Sequence, residues 1–310
     1  MNPSLPPLVL GTRGSDLALA QTTLVRRALE AAHPGLVIEQ RIITTTGDAR
    51  TAMPLHEPTA EGAGLFTKQL EEALLSGEID LAVHSLKDLP VETPAGLELA
   101  AILPRAPIAD LLVSRHPGGL AGLPAGATVG SSSPRRALLI QARRPDLRLT
   151  PIRGNVPTRL QKVAGGDACE ATVLAAAGLG RLGHDLTQGK LMVDGVTLWL
   201  ETLDWMLPAP GQGAVAVEIR SGDRVAEFLA PLHDRTTARC VDAERLVLKY
   251  LGGGCHLALG ALALEQGGVL SLKAVFVPDQ NAPEKALSGE ASGTTPTAVA
   301  RRVADQLLSL

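Results

Sequence analysis

The chain has few aromatic residues, 2% of 310 positions, and a net charge of only -3. Single-stranded nucleic acid is held by a basic groove with stacking rings, so these two shortages exclude nucleic acid as a partner. Cysteine is scarce as well. The three present, at 169, 240 and 255, show no paired spacing, which argues against a disulfide framework and for a reducing compartment. No apolar run approaches the roughly 18 residues needed to cross a bilayer, and Met1–Leu10 has no basic residue before its apolar part. A cytoplasmic protein with no membrane partner is therefore expected. Neither G-x-x-x-x-G-K-[ST] nor a strand-linked G-x-G-x-x-G occurs, so nothing indicates a nucleotide site. His233, Cys240, Cys255 and His256 match no familiar zinc spacing, and no metal is expected.

What is present is a chain able to bury large cores, 45% hydrophobic and 20% charged, of a length that suits two or three domains. Short β-rich runs alternate with helical patterns: Leu8–Leu10 then Ala18–Ala31, Val37–Thr44 then Lys68–Leu75, then Ile79–Val83. The alternation resumes with Leu111–Val113, Thr128–Val129, a helix near Pro134–Ala142, Leu147–Ile152, a helix near Thr158–Val163 and the run Ala171–Ala177. Such a pattern predicts α/β units with parallel sheets covered by helices. Pro104 and Pro107 punctuate the first passage between units, and Pro208-Ala-Pro-Gly-Gln-Gly213 marks a second break. The final third reads as helix, glycine turn, strands at His256–Leu264 and Val269–Val277, and a last helix Pro296–Leu310, a smaller α+β domain.

Three clusters carry chemistry. First, several strands end in small residues followed by arginine near a helix start: Arg13-Gly-Ser15, Ser131-Ser-Ser133-Pro-Arg135-Arg136, and Arg153-Gly-Asn-Val-Pro-Thr-Arg159. Ser133 is a natural N-cap with Pro134 at the first helical position, so free amides there face an anion. Ligands of open α/β sheets lie outside the carboxyl ends of the strands, so these arginines are expected to share one cleft, where their planar forks suit carboxylates. Second, the strand Ile79–Val83 turns into His84-Ser85-Leu-Lys87-Asp88-Leu-Pro90. Pro90 disfavours helix at Leu89, which puts Asp88 on a turn at a strand end, while His84 reads as structural. Third, Cys255 follows three glycines, Gly252–Gly254, that leave its sulfur little steric cover. A helix stop with a buried thiol is the alternative for that segment.

The joint pattern Arg13-Gly-Ser15-x-Leu17-Ala18-x-x-Gln21, Gly64-Leu-Phe66-Thr-Lys68, Val83-His-Ser-Leu-Lys-Asp88-Leu-Pro90, Gly130-Ser-Ser-Ser-Pro-Arg135-Arg136, Arg153-Gly-Asn-Val-x-Thr-Arg159, Ala177-Gly-Leu-Gly-Arg181-Leu-Gly183, Gly211-Gln-Gly213 and Gly253-Gly-Cys255 resembles the porphobilinogen deaminase family. The resemblance implies two lobes like type II periplasmic binding proteins, 1–104 with 208–231 and 105–207, and a small α+β domain, 232–310, with the cofactor cysteine. It also implies a dipyrromethane cofactor held by a thioether on Cys255, on which four porphobilinogens are deaminated and joined head to tail before water releases hydroxymethylbilane. Asp88 then takes the position of the catalytic aspartate. Arg13, Ser15, Ser85, Lys87, Ser132, Ser133, Arg135, Arg136, Arg153, Arg159 and Arg181 take those of cofactor and substrate contacts. A monomer that passes its product to uroporphyrinogen-III synthase is implied too.

Some segments depart from the family pattern. Thr59–Gly64 carries Glu61 and none of the lysines common there, Cys255-His-Leu-Ala258 lacks a following proline, and Lys190–Trp205 is longer than usual. Two rival classes fit part of the pattern. A non-catalytic two-lobed carboxylate binder accounts for the arginines but not for Asp88 or the glycine-cysteine turn, and a redox-sensing thiol protein accounts only for Cys255.

Overall fold

The computed structural model describes residues 7–44, 67–253 and 257–309. The chain runs β1 (Leu8–Thr12), α1 (Asp16–Ala32), β2 (Ile38–Ile42), α2 (Lys68–Leu75), β3 (Leu81–Ser85), a 3-10 turn (Leu86–Asp88) and β4 (Leu97–Ile102). Next come β5 (Asp110–Ser114), β6 (Thr128–Gly130), α3 (Pro134–Arg143), β7 (Arg148–Thr150), α4 (Val156–Gly165), β8 (Ala171–Ala175), α5 (Ala176–Arg181), β9 (Lys190–Val193) and β10 (Val196–Thr202). The last part holds β11 (Val215–Arg220), α6 (Val225–Leu229), α7 (Arg235–Tyr250), β12 (Leu259–Gln266), β13 (Val269–Phe276), β14 (Leu287–Gly293) and α8 (Pro296–Leu308). Two compact units result, Met1–Arg105 with Ala214–Ala238 and Ala106–Gly213 with Arg239–Leu310.

The first unit holds a five-stranded sheet in the order β2-β1-β3-β11-β4. β1 is parallel to β2 and β3, whereas β11 is antiparallel to β3 and β4. In the second unit the order is β7-β6-β8-β5-β10-β9. There β6 is parallel to β7 and β8, and β5 is antiparallel to β8 and β10. The two sheets thus share one plan, a βαβαβ run ordered 2-1-3 with an antiparallel strand inserted beside its third strand. Against the expectation of parallel sheets, both are mixed. The inserted strand comes from the far side of the run in each case, β11 from downstream and β5 from upstream, and so arrives in the opposite direction.

Local chemistry accounts for the helices that flank the site. Ser15 caps α1 by accepting from the Ala18 amide, and Gln21, Thr22, Val25 and Leu29 form its buried face at helical spacing. Ser133 caps α3 by accepting from the Arg136 amide, with Pro134 at the first position as the sequence predicts. One face of the first sheet packs Leu10, Leu81, Val83 and Val217 against Val25 and Leu29 of α1, and Leu70 and Leu74 of α2 join Ile79 and Ala82 in a separate cluster. In the second unit Val113 and Leu174 pack on Leu160 and Val163 of α4, with Cys169 among them.

The opposite face of that second sheet is closed by the C-terminal module. β12, β13 and β14 form an antiparallel sheet whose core joins Cys240 and Val247 of α7 to Val299 and Val303 of α8. Cys169 and Cys240 are both buried, as their structural reading requires. Ala258 and Val277 meet Val129, Leu138 and Leu139 in one cluster, and the Ala261 amide donates to the Pro208 carbonyl at 2.8 Å. Gly260 allows this approach, because a Cβ there lies 2.7 Å from the carbonyl oxygen of Leu207. Gly260→Ala is therefore expected to destabilise the second unit by about 1–3 kcal/mol, read as a lowered Tm; an unchanged Tm contradicts the close approach.

Candidate active site

In a sheet ordered 2-1-3, the connections leaving β1 and β3 depart to opposite sides, so a crevice opens at their carboxyl ends. In the first unit this crevice is a cavity of about 80 Å³ lined by Arg13 and Ser15 after β1, Gln21 of α1, Thr67, and His84, Ser85 and Asp88 at the end of β3. Ser85 and Gln21 exchange hydrogen bonds, Gln21 Nε2 donating to Ser85 Oγ at 2.8 Å and Ser85 Oγ donating to Gln21 Oε1 at 3.1 Å. The 3-10 turn is fixed by the Leu86 amide on the Ala214 carbonyl and the Leu89 amide on the Leu86 carbonyl. Leu89 is extended, as a residue before proline prefers, so the turn stops with Asp88 exposed at its end. Lys87 lies within the same turn. His84 is turned into the sheet, where its Nε2 lies 3.1 Å from Oε2 of the buried Glu218 on β11. Its structural reading therefore stands, although the ring also borders the cavity.

The second unit repeats the geometry with different residues. After β6, Ser132 Oγ donates to the Ile152 carbonyl at 2.7 Å and accepts from the Ile152 amide, joining the ends of β6 and β7. Arg135 and Arg136, in the first turn of α3, are 3% and 7% exposed. Both turn inward onto Asp110 at the start of β5. Arg136 donates through Nε and Nη2 to Asp110 Oδ1 at 3.1 and 2.6 Å and through Nη1 to the Val173 carbonyl. Arg135 Nη1 makes an ion pair with Asp110 Oδ2 at 2.8 Å, off the line of a hydrogen bond, and donates to the Leu207 carbonyl. Gln212 Nε2 donates to Asp110 Oδ1 at 3.0 Å and to the Ile108 carbonyl. Burial alone raises the Asp110 pKa, but the Arg136 and Arg135 guanidiniums outweigh it and bring the carboxyl down to about 2. Burial in turn pulls the Arg135 pKa down.

Of the remaining arginines, Arg153 follows β7, Arg159 lies within α4 and Arg181 ends α5. Arg159 Nε donates to the Gly154 carbonyl, and the Arg153 carbonyl accepts from Lys162. Gly154, at φ +106°, occupies a backbone conformation that side chains avoid. Arg181 Nη2 donates to the Gly213 carbonyl at 2.7 Å, and burial lowers its pKa. The structure thus brings Arg13, Ser15, Ser85 and Asp88 to one cavity and Arg135 with Arg136 to one carboxylate, while Ser132 and Ser133 follow β6, Arg153 follows β7, Arg159 lies in α4 and Arg181 ends α5. Cys255 and the segment Thr59–Gly64 lie outside the described residues. Sequence reasoning passed over Asp110, and it quoted Gln21 within a motif without a role. Gln21, four residues before Val25 on one face of the predicted helix, was the available signal; Asp110 had none, being an isolated acid before an apolar strand.

Among the described residues no group of three or more His, Cys, Asp or Glu side chains is placed to hold a metal, and no helix is long and apolar enough to cross a membrane. Nε of Arg135 is buried with no hydrogen-bond partner, beside the N-terminus of α3. A buried cationic donor at a helix start fits an acidic organic ligand.

Fold and site together define an α/β protein with two like-ordered sheets, one with an exposed acid in a cavity at its strand ends and the other with buried paired arginines beside its strand ends. Comparison with known proteins makes that class specific. The family model described as "Porphobilinogen deaminase, dipyromethane cofactor binding domain" matches residues 8–227, and "Porphobilinogen deaminase, C-terminal domain" matches 238–309. A curated porphobilinogen deaminase of Rubrobacter xylanophilus is 47% identical over 97% of this chain and 93% of its own length. Those of a Roseiflexus species and of Acidithiobacillus ferrooxidans are each 44% identical over 97% of this chain, covering 95% and 94% of theirs. The chain belongs to the porphobilinogen deaminase family, whose members are transferases that use a dipyrromethane cofactor. Among solved structures, the VFT2 domain of Bordetella pertussis BvgS gives a TM-score of 0.42 at 17% identity, covering 73% of this chain and 85% of that one, too slight a likeness to add to this.

A depressed carboxylate pKa confers stability that is complete above the unfolded value and lost as pH falls through the folded value, here from about 4 to about 2. The Tm of the parent is therefore expected to fall more steeply over that interval than the Tm of Asp110→Asn. Parallel profiles contradict a strongly paired Asp110.

Proposed function

We propose that this chain is a hydroxymethylbilane synthase that deaminates four porphobilinogens and condenses them head to tail on a dipyrromethane joined through a thioether to Cys255, water then releasing the linear product. The observation that carries this reading is Asp88 in one cavity with Arg13 and Ser15 at a strand-order reversal. A non-catalytic carboxylate binder leaves Asp88 and the glycine-cysteine turn without a role, and both family models describe the deaminase instead.

Asp88 acts ionised. As ammonia leaves porphobilinogen, positive charge develops on the pyrrole, and a fixed carboxylate beside the ring NH stabilises that charge where it forms. Arg13, Ser15, Ser85 and Lys87 in the first unit orient the acetate and propionate arms around this acid, with Gln21 holding the Ser85 hydroxyl. Arg135, Arg136, Arg153, Arg159 and Arg181 in the second unit neutralise the carboxylates that accumulate as the chain grows, with Ser132 and Ser133 as auxiliary contacts. The cofactor, when bound, supplies the pyrrole carbon that receives the first unit. Cys255 contributes a soft nucleophile, and its thioether is not reversed by thiol exchange.

The functional parts proposed are 1–104 with 208–231, 105–207 and 232–310. Three separate sheets, and family models that change over between residues 227 and 238, support this partition. A cytoplasmic monomer that hands its product to uroporphyrinogen-III synthase completes the reading.

Two experiments test it. Intact mass of the purified protein should exceed the sequence mass by two linked pyrroles, and Cys255→Ser should abolish the excess; an unmodified parent that forms no bilane from porphobilinogen overturns the proposal. Asp88→Asn should keep fold and cofactor but lose several orders of magnitude in kcat, whereas turnover within about threefold of the parent removes Asp88 from catalysis.

A further inference from the structure

Two adjacent arginines directed into one interior present an electrostatic problem. Arg135 and Arg136 carry two positive charges into a region that is almost closed to water, at the start of a helix whose dipole is itself positive there. Buried charge without a partner is costly, and like charges side by side drive each other apart. One carboxylate answers both. Asp110 is fully buried, takes the Arg136 fork on Oδ1, and faces Arg135 Nη1 with Oδ2.

The topology explains how an acid arrives there. β5 runs antiparallel to β8 with Asp110 opposite Ala175, so the first residue of β5 lies level with the last residue of β8. An acid opening an antiparallel strand is thereby placed at the carboxyl edge of the parallel strands, beside the start of α3. The same Oδ1 accepts from Gln212, whose neighbour Gly211 donates its amide to the buried Glu244 of α7 at 2.8 Å. Glu244 also accepts from the Ala263 amide of β12. A continuous chain of buried polar contacts thus links the arginine pair to α7 and β12, the two elements that bracket the glycine turn leading to Cys255.

We propose that Asp110 is a positioning residue for cofactor assembly: its charge holds Arg135 and Arg136 in the geometry that receives the acidic arms of the first two pyrroles. The inference rests on the proposed function. It concerns a residue that touches neither substrate nor cofactor and acts through the arginines. Two guanidiniums against one carboxylate leave one positive charge over, and the partnerless Nε of Arg135 marks a donor still available. Asp110 therefore sets the pair without saturating it.

Chemical rescue separates charge from shape. Asp110→Ala leaves a gap between the two guanidiniums that a small carboxylate fits. The variant should be isolated largely without the two-pyrrole mass, and on incubation with porphobilinogen it should acquire that mass about 100-fold more slowly than parent protein stripped of cofactor, in keeping with a broken buried ion pair. Millimolar acetate should restore the loading rate at least about tenfold, and acetamide, of the same shape without the charge, should not. Asp110→Asn, which keeps the side-chain volume, should show the same slow loading if the alanine variant proves insoluble. Loading of the asparagine variant within about threefold of the parent, or equal rescue by acetate and acetamide, overturns the proposal. A parent that never carries two pyrroles on Cys255 fails the proposed function itself, a separate result read in the same spectrum.

Discussion

The reversal of strand order at β1 and again at β6 is the constraint on which the rest depends. A chain that builds its first strand, then one neighbour, then the other must carry its connections away in opposite directions, and the backbone left at the carboxyl ends is the surface a ligand meets. Most of the residues that the sequence singles out in the described part of the chain follow from this. Arg13 and Ser15 come directly after β1, Ser85 and Asp88 at the end of β3, the serines and paired arginines after β6, and Arg153 after β7. The plan requires residues of the right kind at fixed offsets from strand ends, not a particular loop shape. One architecture repeated with different residues then yields one unit with an exposed acid at its strand ends and another with paired buried arginines.

The inserted antiparallel strands have a second consequence. Both carry a buried acid whose partner is a basic side chain from the parallel run: Glu218 of β11 faces His84 of β3, and Asp110 of β5 faces Arg135 and Arg136 of α3. Such acids are expensive to bury and remain so only while paired. They anchor the ends of the strands from which site residues project. In the first unit the paired His84 immediately precedes Ser85 and the turn that carries the exposed Asp88.

Much of this was legible wherever the chemistry is local. Ser133 and Pro134 announce a helix start by themselves, Lys68–Leu75 has the spacing of one amphipathic face, and Pro90 fixes the end of the turn carrying Asp88. What the sequence conceals is pairing at a distance. Gln21 and Ser85 stand 64 residues apart, and Asp110 and Arg136 stand 26 apart, so their contacts depend on sheet order that no local pattern encodes. The arginines illustrate the difference. Their position at helix starts was readable, and their orientation was not, because Asp110 decides it. β11 shows the same limit: its apolar run after the Pro208–Gly213 turn carries no local mark of its sheet, and the family resemblance, which assigns 208–231 to the first lobe, is what returns it to the first unit.

Charge is distributed unequally between the two crevices, and the inequality suits a condensing enzyme. Among the described residues, the cavity of the first unit is lined by one arginine, Arg13, and one exposed carboxylate, Asp88, which under the proposed function answers charge that appears only during reaction. The second unit buries two guanidiniums on one carboxylate, with a helix N-terminus adding to the positive side. A surplus of that kind favours any arriving carboxylate before and after reaction alike, which is the property of a holding site. Uniform binding of this sort contributes nothing to the rate of the chemical step. Under the proposed function it serves a chain that must remain bound through successive condensations.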